Sequence, residues 1–171
     1  MLEAINETIS YIKQQVKVIP DTAIILGTGL GDIADEIDVH HTIPYGSIPN
    51  FPVSTVEGHA GDLIVGEYAG REIFALKGRF HFYEGYTMQE VTFPIRVLKF
   101  LGVKNLLISN AAGGMNPDFE IGDVMFINDH INLMPNPLLG KHTPEFGDRF
   151  PDMSEIYEKD WIELALKSAK K

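Results

Sequence analysis

Residues 22–31, TAIILGTGLG, decide the class of fold. The first five positions read as a strand buried in a sheet, and the glycines at 27, 29 and 31 turn the chain sharply at its end. Upstream, Leu2, Ile5, Ile9, Ile12 and Val16 recur at helical spacing, so an amphipathic helix precedes that strand. Downstream comes a polar, Pro-rich stretch over residues 40–61, then two strands, DLIVGEY (62–68) and REIFALK (71–77), joined by Ala69-Gly70 in a hairpin. Residues 88–101 have a helical pattern with Pro94 as a local defect. VKNLLIS (103–109) is a further buried strand that runs into NAAGG, and DVMFIND (123–129) reads as another. A loop rich in Pro and Gly over residues 135–151 leads to a last helix, with Tyr157, Trp161, Leu164 and Ala165 on one face. Strands alternate with helices, which makes the class α/β.

The chain has 171 residues, 44% of them hydrophobic and 22% charged. That length and composition suit one folded domain with a real core. The net charge of −10 argues against nucleic acid, whose binding needs a clustered basic surface. Any anion bound here is held by a local site working against the overall field. There are no cysteines, so thiolate chemistry and disulfides are excluded, in line with a cytoplasmic setting. No apolar run is long enough to cross a bilayer, and MLEAINETIS lacks the apolar core of a signal peptide.

Several segments carry possible chemistry. In GTGLGD a glycine turn after a strand lets backbone N–H groups converge on an anion, and Thr28 adds a hydroxyl. It is neither a P-loop nor the dinucleotide G-x-G-x-x-G. The other reading of the same glycines is a plain tight turn. His59, in STVEGHAGD, is either a ligand-side imidazole or a solvated loop histidine. NAAGGM places Asn110 and four small or flexible residues at a strand's carboxyl end, where open α/β sheets hold ligands.

GRFHFYEGY (78–86) is too aromatic for a solvated loop and too charged for a core strand. Arg79 offers a planar donor fork suited to phosphate oxygens. In an extended loop Arg79, His81 and Tyr83 share one face, while Phe80, Phe82 and Glu84 anchor the other. Cation, imidazole and ring side by side suit a phosphate next to a sugar; the competing reading is a packed aromatic hairpin with a surface arginine. Histidine spacing gives no metal-ligand pattern. Ser109 has no G-x-S-x-G elbow around it, so a serine-hydrolase reading has little support.

Together ILGTGLG, IPNFPVSTVEGHAG, GRFHFYEGY, VTFPIRVLKFLGV, NAAGGMNPDFEIGD, DHIN and FGDRFPDMS resemble, in this order, the purine nucleoside phosphorylases of the trimeric type. The resemblance runs from about Ala23 to Met153. It implies a mixed central sheet flanked by helices, phosphorylase/hydrolase-like, in a single domain over residues 1–171 that stops short at its C-terminus. It implies phosphorolysis of purine (deoxy)ribonucleosides such as inosine and guanosine, with inorganic phosphate as co-substrate and no metal or organic cofactor.

Carried over by motif, Thr28, His59, Arg79, His81 and the Ala111 amide hold phosphate, with His81 as the orienting group. The family usually has serine where Thr28 stands, and a threonine hydroxyl makes the same bond. Tyr83 contacts the sugar; Ala111, Ala112 and Gly113 line the base side. Phe150 reaches the sugar of a neighbouring subunit in a homotrimer. The family's purine-recognising glutamate and asparagine have no counterpart before Lys171. The chain is therefore expected to be an N-terminal portion that is inactive by itself. Methylthioadenosine phosphorylase and an inactive anion- or nucleoside-binding fragment are the alternatives.

Overall fold

A computed structural model of the chain describes residues 1–27, 30–53 and 61–170. They fall into two compact units, Met1–Ala112 and Gly113–Lys171. The first contains helix α1 (Leu2–Gln15) and strands β1 (Thr22–Leu26), β2 (Asp38–Pro44), β3 (Asp62–Tyr68) and β4 (Arg71–Lys77). Helices α2 (Met88–Val91) and α3 (Phe93–Leu101) and strand β5 (Asn105–Ile108) complete it.

The strands form one mixed sheet in the order β2-β3-β4-β1-β5. β1 runs parallel to both β4 and β5, while β2-β3 and β3-β4 are antiparallel. β1 is apolar on both faces because both are covered. Leu26 joins Ala34, Ile37, Ile64, Ile73 and Ala75 on one side. Ala23, Ile25, Phe74 and Leu76 alternate with these onto the other side and are buried as well. α1 and α3 pack against each other and bury Ile5, Ile12, Val97 and Leu98. Thr8, fully buried within α1, shares its hydroxyl between the Ala4 carbonyl (2.8 Å) and the Pro49 carbonyl (2.7 Å), which ties Pro49 to the helix.

The β3-β4 hairpin turns at Ala69 (φ 50°) and Gly70 (φ 76°), as expected from the sequence. Positive φ at both central residues gives a turn whose twist matches that of the strands. Residues 88–101 are two helical segments rather than one, with the break at Thr92. Pro94 has no N–H for a bond to residue 90 and its ring crowds that carbonyl, so it is accommodated in the first turn of a new helix.

Three expectations are corrected. The polar stretch after residue 40 contains most of a strand, β2, at the sheet's edge. DVMFIND forms no strand among the described residues; Val124 and Met125 are exposed there. A strand exists only through its ladder, and the second unit has no described partner for this segment. The last helix, α4 (Lys159–Ser168), begins after Tyr157, and no α4 residue is buried. Among the described residues no helix is long and apolar enough to cross a membrane.

Candidate functional site

Parallel pairing sets the location of the site. Leu26 is in register with Lys77, and Ile25 with Ile108, so β4, β1 and β5 end at the same edge of the sheet. The glycine turn, the 78–86 loop and the Asn110–Ala112 turn leave from these three adjacent ends. Antiparallel β3 starts at that edge too, with Asp62 opposite Lys77. Carboxyl ends of parallel strands are where open α/β sheets bind ligands.

Two of these turns are tied together. The Gly27 N–H donates to the Ser109 hydroxyl (2.9 Å), which donates to the Ile25 carbonyl (3.1 Å). The Ser109 N–H donates to that same carbonyl (3.0 Å). A Cβ added at Gly27 would lie 2.4 Å from the Ser109 carbonyl oxygen, so only glycine allows this approach. Ser109 thus holds backbone to backbone, and its hydroxyl is committed on both sides.

The 78–86 loop is anchored by its rings. Phe80 packs 5.1 Å from Tyr45 and 6.3 Å from Tyr86 between centroids, and Phe51 bridges to Phe93 at 6.1 Å. Tyr45, buried in this cluster, donates its hydroxyl to the Gly78 carbonyl (3.1 Å) and its N–H to the Gly61 carbonyl (2.9 Å). Burial, and secondarily the Asp62 carboxylate, pushes the Tyr45 phenol far up, so it remains a protonated donor. The Tyr86 hydroxyl donates to the Val53 carbonyl.

After Phe80 the chain does not stay extended. Phe82–Glu84 is a 3-10 turn, capped by the Glu84 carboxylate accepting the His81 N–H at 2.9 Å and closed by Gly85 at φ 95°. The turn leaves Phe82 exposed, so Phe80 and Tyr86, rather than Phe82, are the anchors. His81 and Tyr83 do share a side: their rings stack, 4.8 Å apart and 15° from parallel. Tyr83 is 80% exposed, with one ring face on the imidazole and the rest open to a ligand. Arg79 is half-buried and pairs with no carboxylate among the described residues. A half-buried guanidinium with no counter-ion among the described residues, in a chain of net charge −10, is a ready partner for an added anion.

The structure therefore brings the Arg79–Tyr83 loop, Gly27 and Ala111 to one edge of one sheet. Ala111 and Ala112 are exposed there. Thr28 and His59 lie outside the described residues. Gly113 and Phe150 belong to the second unit, where Phe150 is 88% exposed. There Arg149 donates to the Gly140 carbonyl (2.8 Å) and lies 6.0 Å from the Phe150 ring. In the same unit the Tyr157 hydroxyl bonds to His130 Nδ1. Among the described residues no group of histidine and carboxylate side chains is arranged to hold a metal ion. Sequence reading missed Tyr45 and Tyr86, the pins of the loop. Their signal was local: aromatic residues beside Pro and Gly in otherwise polar segments.

Residues 21–171 match the model of the phosphorylase superfamily, and the chain belongs to that superfamily. Among its relatives is purine nucleoside phosphorylase 1 of Bacillus subtilis (strain 168), 53% identical over 171 residues, which cover 99% of this chain and 63% of the relative. The purine nucleoside phosphorylase of Rattus norvegicus is 45% identical over 98% of this chain and 60% of its own. A purine nucleoside phosphorylase solved with ribose-1-phosphate superposes with a TM-score of 0.93 at 44% identity, covering 99% of this chain and 64% of that one. The Schistosoma mansoni enzyme solved with inosine gives 0.92 at 42% identity, with 99% and 60% covered. The chain thus spans 60–63% of the length of these two curated relatives.

Proposed function

We propose that the protein is a purine nucleoside phosphorylase, and that this chain carries its phosphate side. The observation behind this is the convergence of the Gly27 turn, the Arg79–Tyr83 loop and the Ala111 turn at the ends of three adjacent strands. Thr28, His59, Arg79, His81 and the Ala111 amide bind phosphate. Tyr83 meets the sugar, Ala111, Ala112 and Gly113 face the base, and Phe150 completes the sugar site of a neighbouring subunit. The homotrimer and a cytoplasmic location belong to the same reading and rest on the resemblance and the sequence alone.

The chemistry follows from where charge develops. A phosphate oxygen forms a bond to the anomeric carbon as the C–N glycosidic bond breaks. The bonding pair leaves with the purine, which takes up a proton and departs as free base. Positive charge builds on the ribose ring in between, as in glycosidase transition states. The bound phosphate is nucleophile and counter-charge at once, so catalysis is positioning plus electrostatics. Arg79 holds the phosphate by charge-assisted bonds, and His81, braced by Tyr83, orients it. Relatives solved with inosine and with ribose-1-phosphate support the choice of substrate class, a purine nucleoside and its sugar phosphate. Hypoxanthine release from inosine by the full-length natural protein, measured with and without phosphate, tests the reading. Phosphate-independent release, or none, overturns it.

A further inference from the structure

We infer that Ser109 is a positioning residue that sets the spacing between the two backbone walls of the phosphate site. The inference rests on the phosphorolytic reading of that site. The turn after β1 and the turn after β5 are separate pieces of chain, joined in sequence only through some eighty residues. Their separation depends on what links the strand ends. Ser109 does so through a single hydroxyl, which accepts the Gly27 N–H (2.9 Å) and donates to the Ile25 carbonyl (3.1 Å). The Ser109 N–H reaches that carbonyl as well (3.0 Å), so one residue makes a three-bond clamp across the β1-β5 boundary.

The clamp sits where the two walls begin. Thr28 follows Gly27 directly, and Ala111 comes two residues after Ser109. The approach is at its steric limit, since a Cβ at Gly27 would meet Ser109 and Asn110 backbone atoms at 2.4 and 2.9 Å. Removing the hydroxyl orphans the Gly27 N–H and lets the strand ends part. An anion cradle of backbone amides depends on such spacing, because its donors converge on one point. Ser109 itself touches no substrate in this scheme; its effect reaches phosphate through the spacing of the Gly27 backbone and the Ala111 amide.

The test compares Ser109→Ala, Ser109→Thr and Ser109→Cys in the full-length natural protein, with two readouts. The first is hydrogen exchange at the Gly27 amide without substrate: faster in Ala, near wild type in Thr, intermediate in Cys, whose sulfur is a weaker acceptor. The second is steady-state kinetics with inosine and phosphate. Ser109→Ala is expected to raise the phosphate KM about three- to tenfold, the size of one lost hydrogen bond, with the inosine KM nearly unchanged. Ser109→Thr restores the phosphate KM. Unchanged Gly27 exchange in Ser109→Ala overturns the clamp even in an active enzyme. Equal rises in both KM values, or a Thr variant no better than Ala, reduce Ser109 to a structural residue and overturn the positioning role. A wild-type protein without phosphorolysis sinks the functional reading and, with it, the link to phosphate, while the exchange experiment still decides the clamp.

Discussion

The imidazole of His81 lies flat against the ring of Tyr83, 4.8 Å between centroids and 15° between planes. The two residues flank Phe82 within a turn whose N-terminus is capped by Glu84. The stack restricts the rotation of an otherwise exposed phenol and fixes the plane of the imidazole against it. Such ring pairs contribute about 0.5–1.5 kcal/mol beyond their burial, and an exposed pair falls at the low end.

Tyr83→Phe keeps the stack and loses the hydroxyl; Tyr83→Ala loses both. If the ring rather than the hydroxyl aligns His81, Phe retains most of kcat while Ala lowers it about three- to tenfold, in keeping with that energy. Steady-state kinetics of the two variants of the full-length protein decides. Equal losses in both variants would assign the role to the hydroxyl.

Arg79 makes a sharper prediction. Its guanidinium is half-buried and has no carboxylate partner among the described residues. Loss of a charge-assisted bond to an anion costs about 1.5–3 kcal/mol, so Arg79→Ala raises the phosphate KM roughly ten- to a hundredfold. Arg79→Lys recovers part of this, since an ammonium supplies the charge without the fork. A collapse of inosine affinity with unchanged phosphate dependence would remove Arg79 from the phosphate site.

Tyr45 couples the loop to pH. An unfolded phenol ionises near pH 10, whereas burial and Asp62 push that of Tyr45 well above this. The folded protein therefore keeps a proton that the unfolded chain gives up. Its contribution to stability is whole below about pH 10 and falls as pH rises further, by up to about 1.4 kcal/mol per pH unit. Tyr45→Phe cannot lose that proton. It should be destabilised at neutral pH by about 1 kcal/mol, for the lost bond to the Gly78 carbonyl, but its stability should fall less steeply in alkali. Urea unfolding of both proteins at neutral and alkaline pH compares the slopes; equal slopes would absolve Tyr45.

What the sequence reveals of this protein divides by range. The β3-β4 hairpin is legible because two apolar runs flank Ala69-Gly70, and every relevant residue is local. The break at Thr92 is signalled by Pro94 two residues on. β2 is obscured by its position: most of its side chains face solvent, so HHTIP lacks the alternation that marks a half-buried strand. DVMFIND misleads in the opposite sense, having the apolar content of a strand and no described neighbour to pair with. At the site, Arg79, His81 and Tyr83 are visible as an odd cluster of types within one loop. The Gly27–Ser109 bond joins positions that no local pattern connects, so its role is readable only once β1 and β5 lie side by side.

The second unit makes a prediction about the 171-residue chain itself. Ile121, Val124, Ile131 and Leu133 are each more than four-fifths exposed. Apolar surface on that scale is unusual for a free monomer. The purified 171-residue polypeptide should therefore enhance the fluorescence of a hydrophobic dye such as ANS. Fluorescence at the level of a compact control protein would show that these side chains are covered.

Phe150 decides whether the site is shared between subunits. Its ring is 88% exposed, on a segment that Arg149 fastens to the Gly140 carbonyl. An aromatic side chain so presented is a contact in search of a surface. If that surface is the sugar site of a neighbour, Phe150→Ala raises the inosine KM and leaves phosphate binding intact. Mixing the Phe150→Ala and Arg79→Ala full-length proteins and letting subunits exchange gives the stronger experiment. Each subunit of the Phe150→Ala protein still carries Arg79, and each of the Arg79→Ala protein still carries Phe150. Where the first receives the second as its neighbour, one site regains both residues. Random exchange at equal amounts in a closed ring makes about a quarter of the sites whole, so activity should rise toward about a quarter of wild type. Mixed trimers that form, as seen by mass, and yet recover nothing would place Phe150 outside the neighbour's site.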